Sequence, residues 1–284
     1  MAFFTEYRGR NNDRGPSGEI WADLDAVLLG ARPDKGVHYF DDFYNLSQHV
    51  SDQDTQQYGS YIDTGVLIKA LNELDADALV PLGVCRVSGN DADNDEGVLA
   101  THGVQANVSS TASKKHPLWF EGRFRKSDVT DNGIGMFLGL AFDDGSGTVA
   151  PITNTLALTD DGLELGAFSF LGFHIAADDG NAIQFTYKAE GQTAVVISAN
   201  LQAVVADTWY KVGFKYSPQY PASKRIKIYI NGVEQSSYVT ETQIAAATFP
   251  DDEPLGLTFV SKVGTGSLTV THDLDWWRVA QLHD

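Results

Sequence analysis

The chain has 284 residues, enough to bury a sizeable core in one main domain, and its 38 acidic against 20 basic residues give a formal charge of -18. Such a charge repels nucleic-acid phosphates and anionic bilayers unless the basic residues cluster strongly, which sets aside direct nucleic-acid binding and membrane attachment; it suits solubility, Ca²⁺ capture or docking on a basic surface. Cys85 is the single cysteine, which excludes an intrachain disulfide. The start MAFFTEYRGRNNDRG lacks the basic lead, apolar run and cleavage site of a signal peptide, so synthesis and folding in a cytoplasm are expected.

Residues 1–36 are rich in Arg, Asn, Asp, Gly and Pro around a short apolar island, and they read as an extended N-terminal arm ahead of one β domain over 37–284. The arm either crosses the outside of its own sandwich or docks on a neighbour, with Trp21, Val27, Leu28 and Leu29 as anchors. From Tyr39 the text is strand-like: YFDDFYNL, then YGSYIDTGVLIKAL. Val66 to Leu79 also reads as a helix, because Val66, Leu67, Ala70, Leu71 and Leu74 fall near helical spacing. LVPLGVCRVSG is expected as a strand, and the following GNDADNDEG as a turn. In LWFEGRFRKSD, Phe120, Gly122 and Phe124 oppose Trp119, Glu121, Arg123 and Arg125, which predicts one buried and one wet sheet face. GIGMFLGLAF is apolar on both faces, as a central strand would be. Asp-Asp-Gly at 143, 160 and 178 is spaced like the turns of a meander.

The stretch from Asp207 to Glu234 carries the firmest fold signal. Tyr210, Val212, Phe214 and Tyr216 alternate with Trp209, Lys211, Gly213 and Lys215; Ile226, Ile228 and Ile230 alternate with Arg225, Lys227 and Tyr229. Asn231-Gly232 supplies the positive φ of a tight hairpin, so a third strand is expected after it. A Trp entering a strand, a basic connection and an apolar strand ending in Asn-Gly resemble the concanavalin A-like, laminin-G-like fold. The fold class read here is therefore all-β: a jelly-roll sandwich of two antiparallel sheets with an N-terminal arm. That fold serves lectins, glycosidases, adhesion modules and phage structural proteins, and does not choose among them.

A glycosidase of this fold would carry Glu-x-Asp-x-x-Glu on one strand face; ELDADA at 73–78 offers Glu73 and Asp75, but Ala78 stands where the second glutamate, the proton donor, is needed. Asp273 and Asp275 in THDLDWWRV form an i, i+2 pair that shares a strand face. Trp119, Trp209 and the Trp276-Trp277 pair, with these carboxylates, are the sugar-platform candidates, Trp277 foremost. The competing reading makes THDLDWWRV a terminal strand pairing with the YFDDF segment, with Leu274, Trp276 and Arg278 on one face and Asp275, Trp277 and Val279 on the other. Asp91, Asp93 and Asp95 have the alternate spacing of a Ca²⁺ loop, yet Glu96 occupies the glycine position of an EF-hand and no closing glutamate follows, which favours a plain acidic turn. No HxH, HExxH, G-x-S-x-G or P-loop spacing occurs, so no cofactor other than Ca²⁺ is indicated.

Three pieces resemble concanavalin A-like proteins of tailed-phage virions: SGNDADNDEGVLATHG, PLWFEGRFRKSDVTDNGIGMFLGLAFDDG, and DTWYKVGFKY with KIYINGVE. The resemblance implies a non-enzymatic capsid decoration or head-fibre protein, located in the virion, acting as a homo-oligomer and contacting the major capsid protein or other virion proteins. The alternative is a lectin-like module for surface glycans.

Overall fold

A computed structural model of the chain describes residues 14–43, 58–62, 67–71, 83–88, 94–130, 133–142, 158, 165–179, 181–264 and 271–283. In chain order its strands are β1 (Gly36–Asp41), β2 (Tyr58–Ile62), β3 (Leu67–Leu71), β4 (Val84–Ser88), β5 (Glu96–Ala106), β6 (Leu118–Lys126), β7 (Ile134–Phe142) and β8 (Phe170–Ile175). They continue with β9 (Ala182–Lys188), β10 (Val195–Ala203), β11 (Tyr210–Tyr216), β12 (Ile226–Ile230), β13 (Val233–Val239), β14 (Leu255–Val263) and β15 (Thr271–Leu282). Sheet A has the order β13-β12-β11-β6-β15-β4-β3, with β1 also paired to β15; sheet B has the order β10-β9-β8-β7-β14-β5-β2. Neighbouring strands are antiparallel throughout, and the chain crosses between sheets at β1–β2, β2–β3, β4–β5, β5–β6, β6–β7, β10–β11, β13–β14 and β14–β15, the connectivity of a jelly roll.

The period-two pattern does what the sequence predicts. Phe120 and Phe124 of β6 and Val212, Phe214 and Tyr216 of β11 point between the sheets, where they meet Met136, Leu138 and Leu140 of β7 and Phe185 of β9. Phe120 stacks on Phe214 at 5.1 Å between centroids, and Phe185 meets Phe214 edge-on at 5.7 Å. Ile230 pairs with Val233 across Asn231 (φ 51°) and Gly232 (φ 78°), so the hairpin is the two-residue type I′ turn that Asn-Gly favours. Asn231 also accepts a bond from Lys211 N at 2.9 Å, which ties the turn to β11. β7 lies at the middle of sheet B between β8 and β14, and its outward side chains Phe137 and Ala141 are buried with Leu158, Leu165 and Phe170.

Two sequence expectations change. Leu67–Leu71 is a strand paired to β4, not the start of a helix, because its ladder to Val84–Ser88 satisfies the backbone that a helix would have used. The phase of β15 also differs. Its pairing to β6 slips between Leu274 and Trp276, a β-bulge that turns Asp275 and Trp276 outward together. Leu274, Trp277 and Val279 therefore share the inner face, and the simple alternation expected for THDLDWWRV is broken. The pairing of β15 with the YFDDF strand is as expected, with Tyr39 opposite Val279. Of the three Asp-Asp-Gly turns, the one at 178 follows β8 and leads into β9, and those at 143 and 160 lie outside the described residues.

One end of the inter-sheet core is polar. His272 and Lys126 are both buried there; His272 Nδ1 is 2.7 Å from Ser261 Oγ, and Lys126 Nζ donates to the Ile134 carbonyl at 3.2 Å. Burial pushes the Lys126 ammonium down to about 8 and keeps His272 neutral.

Candidate functional site

The outer face of sheet A collects most of the residues that the sequence marks for function. The outward side chains of β4, β6, β11 and β12 include Arg86, Arg123, Arg125, Lys211, Lys215 and Lys227, and β15 adds Arg278. Against these seven cations stand, among the described residues of the same face, four carboxylates, Glu121, Glu234, Asp273 and Asp275. One sheet face thus holds a third of the chain's 20 basic residues and carries positive charge on a molecule whose total is -18.

Asp273 is clamped from both neighbouring strands. Arg86 reaches it through Nε at 2.7 Å and Nη2 at 3.0 Å, and Arg125 through Nε at 3.1 Å with Nη2 on the same oxygen. The bulge places Asp275 against Arg123 Nη1 at 2.5 Å and Arg14 Nη2 at 2.9 Å. Both carboxylates are almost fully buried and serve as acceptors for paired guanidinium groups. The i, i+2 spacing did put them on one face, as expected, but neither has an oxygen left open for a sugar hydroxyl.

Beside this ladder the chain covers its own sheet. Residues 14–35 form two short helices, α1 (Gly18–Trp21) and α2 (Ala26–Ala31), before Gly36 opens β1. Glu121 is completely buried beneath α1: Ser17 N donates to its Oε2 at 2.9 Å and Trp21 Nε1 at 2.7 Å, while Oε1 has no hydrogen-bond partner. Burial raises the Glu121 carboxyl above its usual range despite those donors. The Arg278 guanidinium sits 4.0 Å from the Trp21 ring centroid and donates through Nε to His38 Nε2 at 3.0 Å. Burial, then the Arg278 charge, lowers His38 to about 4, so the ring nitrogen stays free to accept. Asp23 takes Trp119 Nε1 at 3.2 Å and the Lys215 ammonium, and Ile20, Trp21, Leu29, Trp119, Tyr229 and Ala280 close into one apolar cluster.

This arrangement corrects the anchor reading of the arm. Trp21 and Leu29 are 7% and 4% exposed because they pack on their own sheet, and they present no side chain to a neighbour. Val27 and Leu28 lie within α2, with side chains outside the described residues. Of the sugar-platform candidates, Trp119 is buried under the arm, and Trp277 is fully buried between the sheets against Phe43 and Tyr58. Neither ring has a face for a sugar. Asp91 and Asp93 lie outside the described residues; the Asp95 carbonyl accepts Val263 N at 2.9 Å. Among the described residues no group of three or more His, Cys, Asp or Glu is placed to hold a metal ion.

Sequence reasoning missed the clustering of the cations, although the signal was there: Arg123 and Arg125 in β6 and Lys211 and Lys215 in β11 recur with period two on adjacent strands. Part of this face is left open by the arm. Trp209 is half-buried, with Arg123 4.3 Å and Arg125 5.1 Å from its ring centroid. Further along, Lys215 and Lys227 approach the Tyr220 ring at 5.7 Å and 4.8 Å, and Lys224 approaches Tyr238 at 4.3 Å.

No family model and no curated protein sequence matches the chain. Solved structures do. The carbohydrate recognition domain of Emp47p superposes with a TM-score of 0.52 at 10% identity, over 87% of this chain and 96% of that one. The catalytic domain of an endo-1,3-β-glucanase (laminarinase) from Thermotoga petrophila RKU-1 gives 0.54 at 10% identity, over 87% and 97%. The endo-β-1,3-glucanase of Pyrococcus furiosus gives 0.54 at 12% identity, over 87% and 94%. At such identities the likeness defines a fold. That fold is the concanavalin A-like jelly-roll sandwich, which carries both recognition domains and hydrolases.

Proposed function

We propose that the chain is a non-enzymatic assembly module, a virion component of a tailed phage that decorates the capsid through one sandwich face. The observation that supports this most is the state of the outward carboxylates of sheet A. Asp273 and Asp275 are consumed by four arginines, and Glu121 is sealed beneath α1, so this face offers no pair of open carboxylates for acid/base cleavage of a glycoside. With Trp119 and Trp276 buried and Trp277 turned between the sheets, the same face offers no open aromatic platform at its centre. A scaffold whose sheet A face is closed at its centre by ion pairs suits a shell partner such as the major capsid protein, where a homo-oligomer adds many weak contacts. Mass spectrometry and electron cryo-microscopy of purified particles test this directly. A fixed copy number on the shell is expected, and absence from the particle overturns the reading.

A second reading, glycan recognition, rests on Trp209, whose half-buried ring lies at the rim of the charged face. The Emp47p domain of the same fold is a carbohydrate recognition domain. Selective binding on a glycan array, lost in Trp209→Ala with folding intact, would establish it; release of reducing sugar from laminarin would replace both readings with a glucanase.

A further inference from the structure

The arm lies over Gly213 and Tyr229 and engages Lys215, and beyond it Tyr220, Lys224, Lys227 and Tyr238 are half-buried at the edge of sheet A. There cations lie against rings: Lys227 is 4.8 Å from Tyr220 and Lys224 is 4.3 Å from Tyr238, while Lys215, buried beneath Asp23 of the arm, borders the row 5.7 Å from Tyr220. Rings beneath ammonium groups hold them in place and cost them little hydration, which prepares them for carboxylates. We propose that this end of the face binds an acidic peptide segment of a partner protein. The inference deepens the assembly reading, on which it rests, by naming what the partner must display.

Two carboxylates of the chain itself show how such a segment would sit. Asp23, on the covering arm, engages Lys215 Nζ and Trp119 Nε1 at one end of the row. Glu234 takes Lys227 Nζ at 2.9 Å and the Tyr238 hydroxyl at 3.2 Å at the other. The Glu234 pair is exposed at the surface, where such pairs are weak, so an incoming carboxylate displaces it at little cost. Tyr220 and Tyr238 add amphipathic contact area of the kind that anchors protein interfaces.

The overall charge selects for a short ligand. A peptide of a few acidic residues stays within the field of the lysines, since screening at physiological salt acts over about 8 Å. A nucleic acid carries a phosphate charge every ~1.7 Å of axis and would run off this end onto the acidic remainder of a chain of charge -18.

Fluorescence anisotropy of the full chain with fluorescein-labelled decaglutamate tests the proposal. Saturable binding at about 50 mM salt is expected, weakened at least about fivefold at about 200 mM. Lys224→Glu combined with Lys227→Glu weakens it by about tenfold or more, while Glu234→Gln, which removes the internal competitor, tightens it by about twofold. Arg32→Glu, whose exposed partner Asp34 is on the arm, leaves it unchanged. Circular dichroism of each variant checks the fold. No saturable binding, or equal binding by the double charge-reversal variant, overturns the proposal. So does tighter binding of a heparin hexasaccharide or oligothymidylate, either of which reassigns the face to another polyanion. Particle incorporation is scored separately, so a decorated particle without decaglutamate binding sinks this inference and leaves the assembly reading standing.

Discussion

Glu121 is the residue where the local sequence and the final environment disagree most. Its place in LWFEGRFRK marks it for a wet face, yet α1 folds over it and leaves one carboxylate oxygen buried without a partner. A carboxyl whose folded pKa is raised contributes stability that is full below the ordinary carboxylate range and is lost as pH rises through the raised value. Glu121→Gln keeps an acceptor for Ser17 N and Trp21 Nε1 and abolishes the charge. Its unfolding free energy is expected to equal or exceed that of the parent at pH 7.5, with the parent's relative advantage appearing only toward pH 4.5; urea titrations at the two pH values measure it. Identical pH slopes would show that burial does not raise the Glu121 carboxyl, which would then be charged in the fold as it is in the unfolded chain. Lys126 has the opposite chemistry. Its pKa is lowered from 10.5 to about 8, so its cost is absent above the first value and complete below the second. Lys126→Met is expected to raise stability at pH 7 by about 2 kcal/mol, less than the full shift implies because the Ile134 carbonyl loses its donor, and to gain much less at pH 10.

At the scale of elements, α1 shows why a four-residue helix persists where propensity alone would not hold it. Ile20 sits over Gly213 of β11, and a Cβ built at that glycine would lie 2.6 Å from Ile20 Cδ1 and 2.7 Å from the Phe120 carbonyl. Gly213→Ala is therefore expected to lift α1 off the sheet, costing about 1–3 kcal/mol and speeding proteolysis within residues 14–31; unchanged cleavage would mean the helix is held elsewhere. Elements like β6, β11 and the β12–β13 hairpin were legible because their signals are local: alternation sets the face, and Asn231-Gly232 sets the turn. The bulge at Asp275 was not, since it follows from the register against β6, which no window of β15 contains. The fate of Trp119 and Trp277 was lost for the same reason. Alternation gives a side chain's face, but not what the rest of the chain lays upon it.

For the molecule as a whole, the question is whether the arm is an appendage or part of the domain. Reading residues 1–36 as an arm treats the sandwich as complete without them, and truncation of residues 1–30 would then leave its stability unchanged. The structure argues otherwise. Removing those residues uncovers Trp119, Tyr229 and Ala280, withdraws Ile20, Trp21 and Leu29 from their cluster, and strips Glu121 and Asp275 of donors. Burying each large apolar side chain is worth about 1.5–3 kcal/mol, and ordering the segment returns part of that gain to the truncated form. A net loss of about 3 kcal/mol corresponds to about 6–12 °C in Tm for a domain of this size. Truncation is expected to lower Tm by that amount and to raise binding of a hydrophobic dye to the newly bared face of sheet A. An unchanged Tm would restore the arm to independence. The truncated protein should also bind decaglutamate more tightly, because deletion removes Asp23 from Lys215 and opens the covered half of the cationic face.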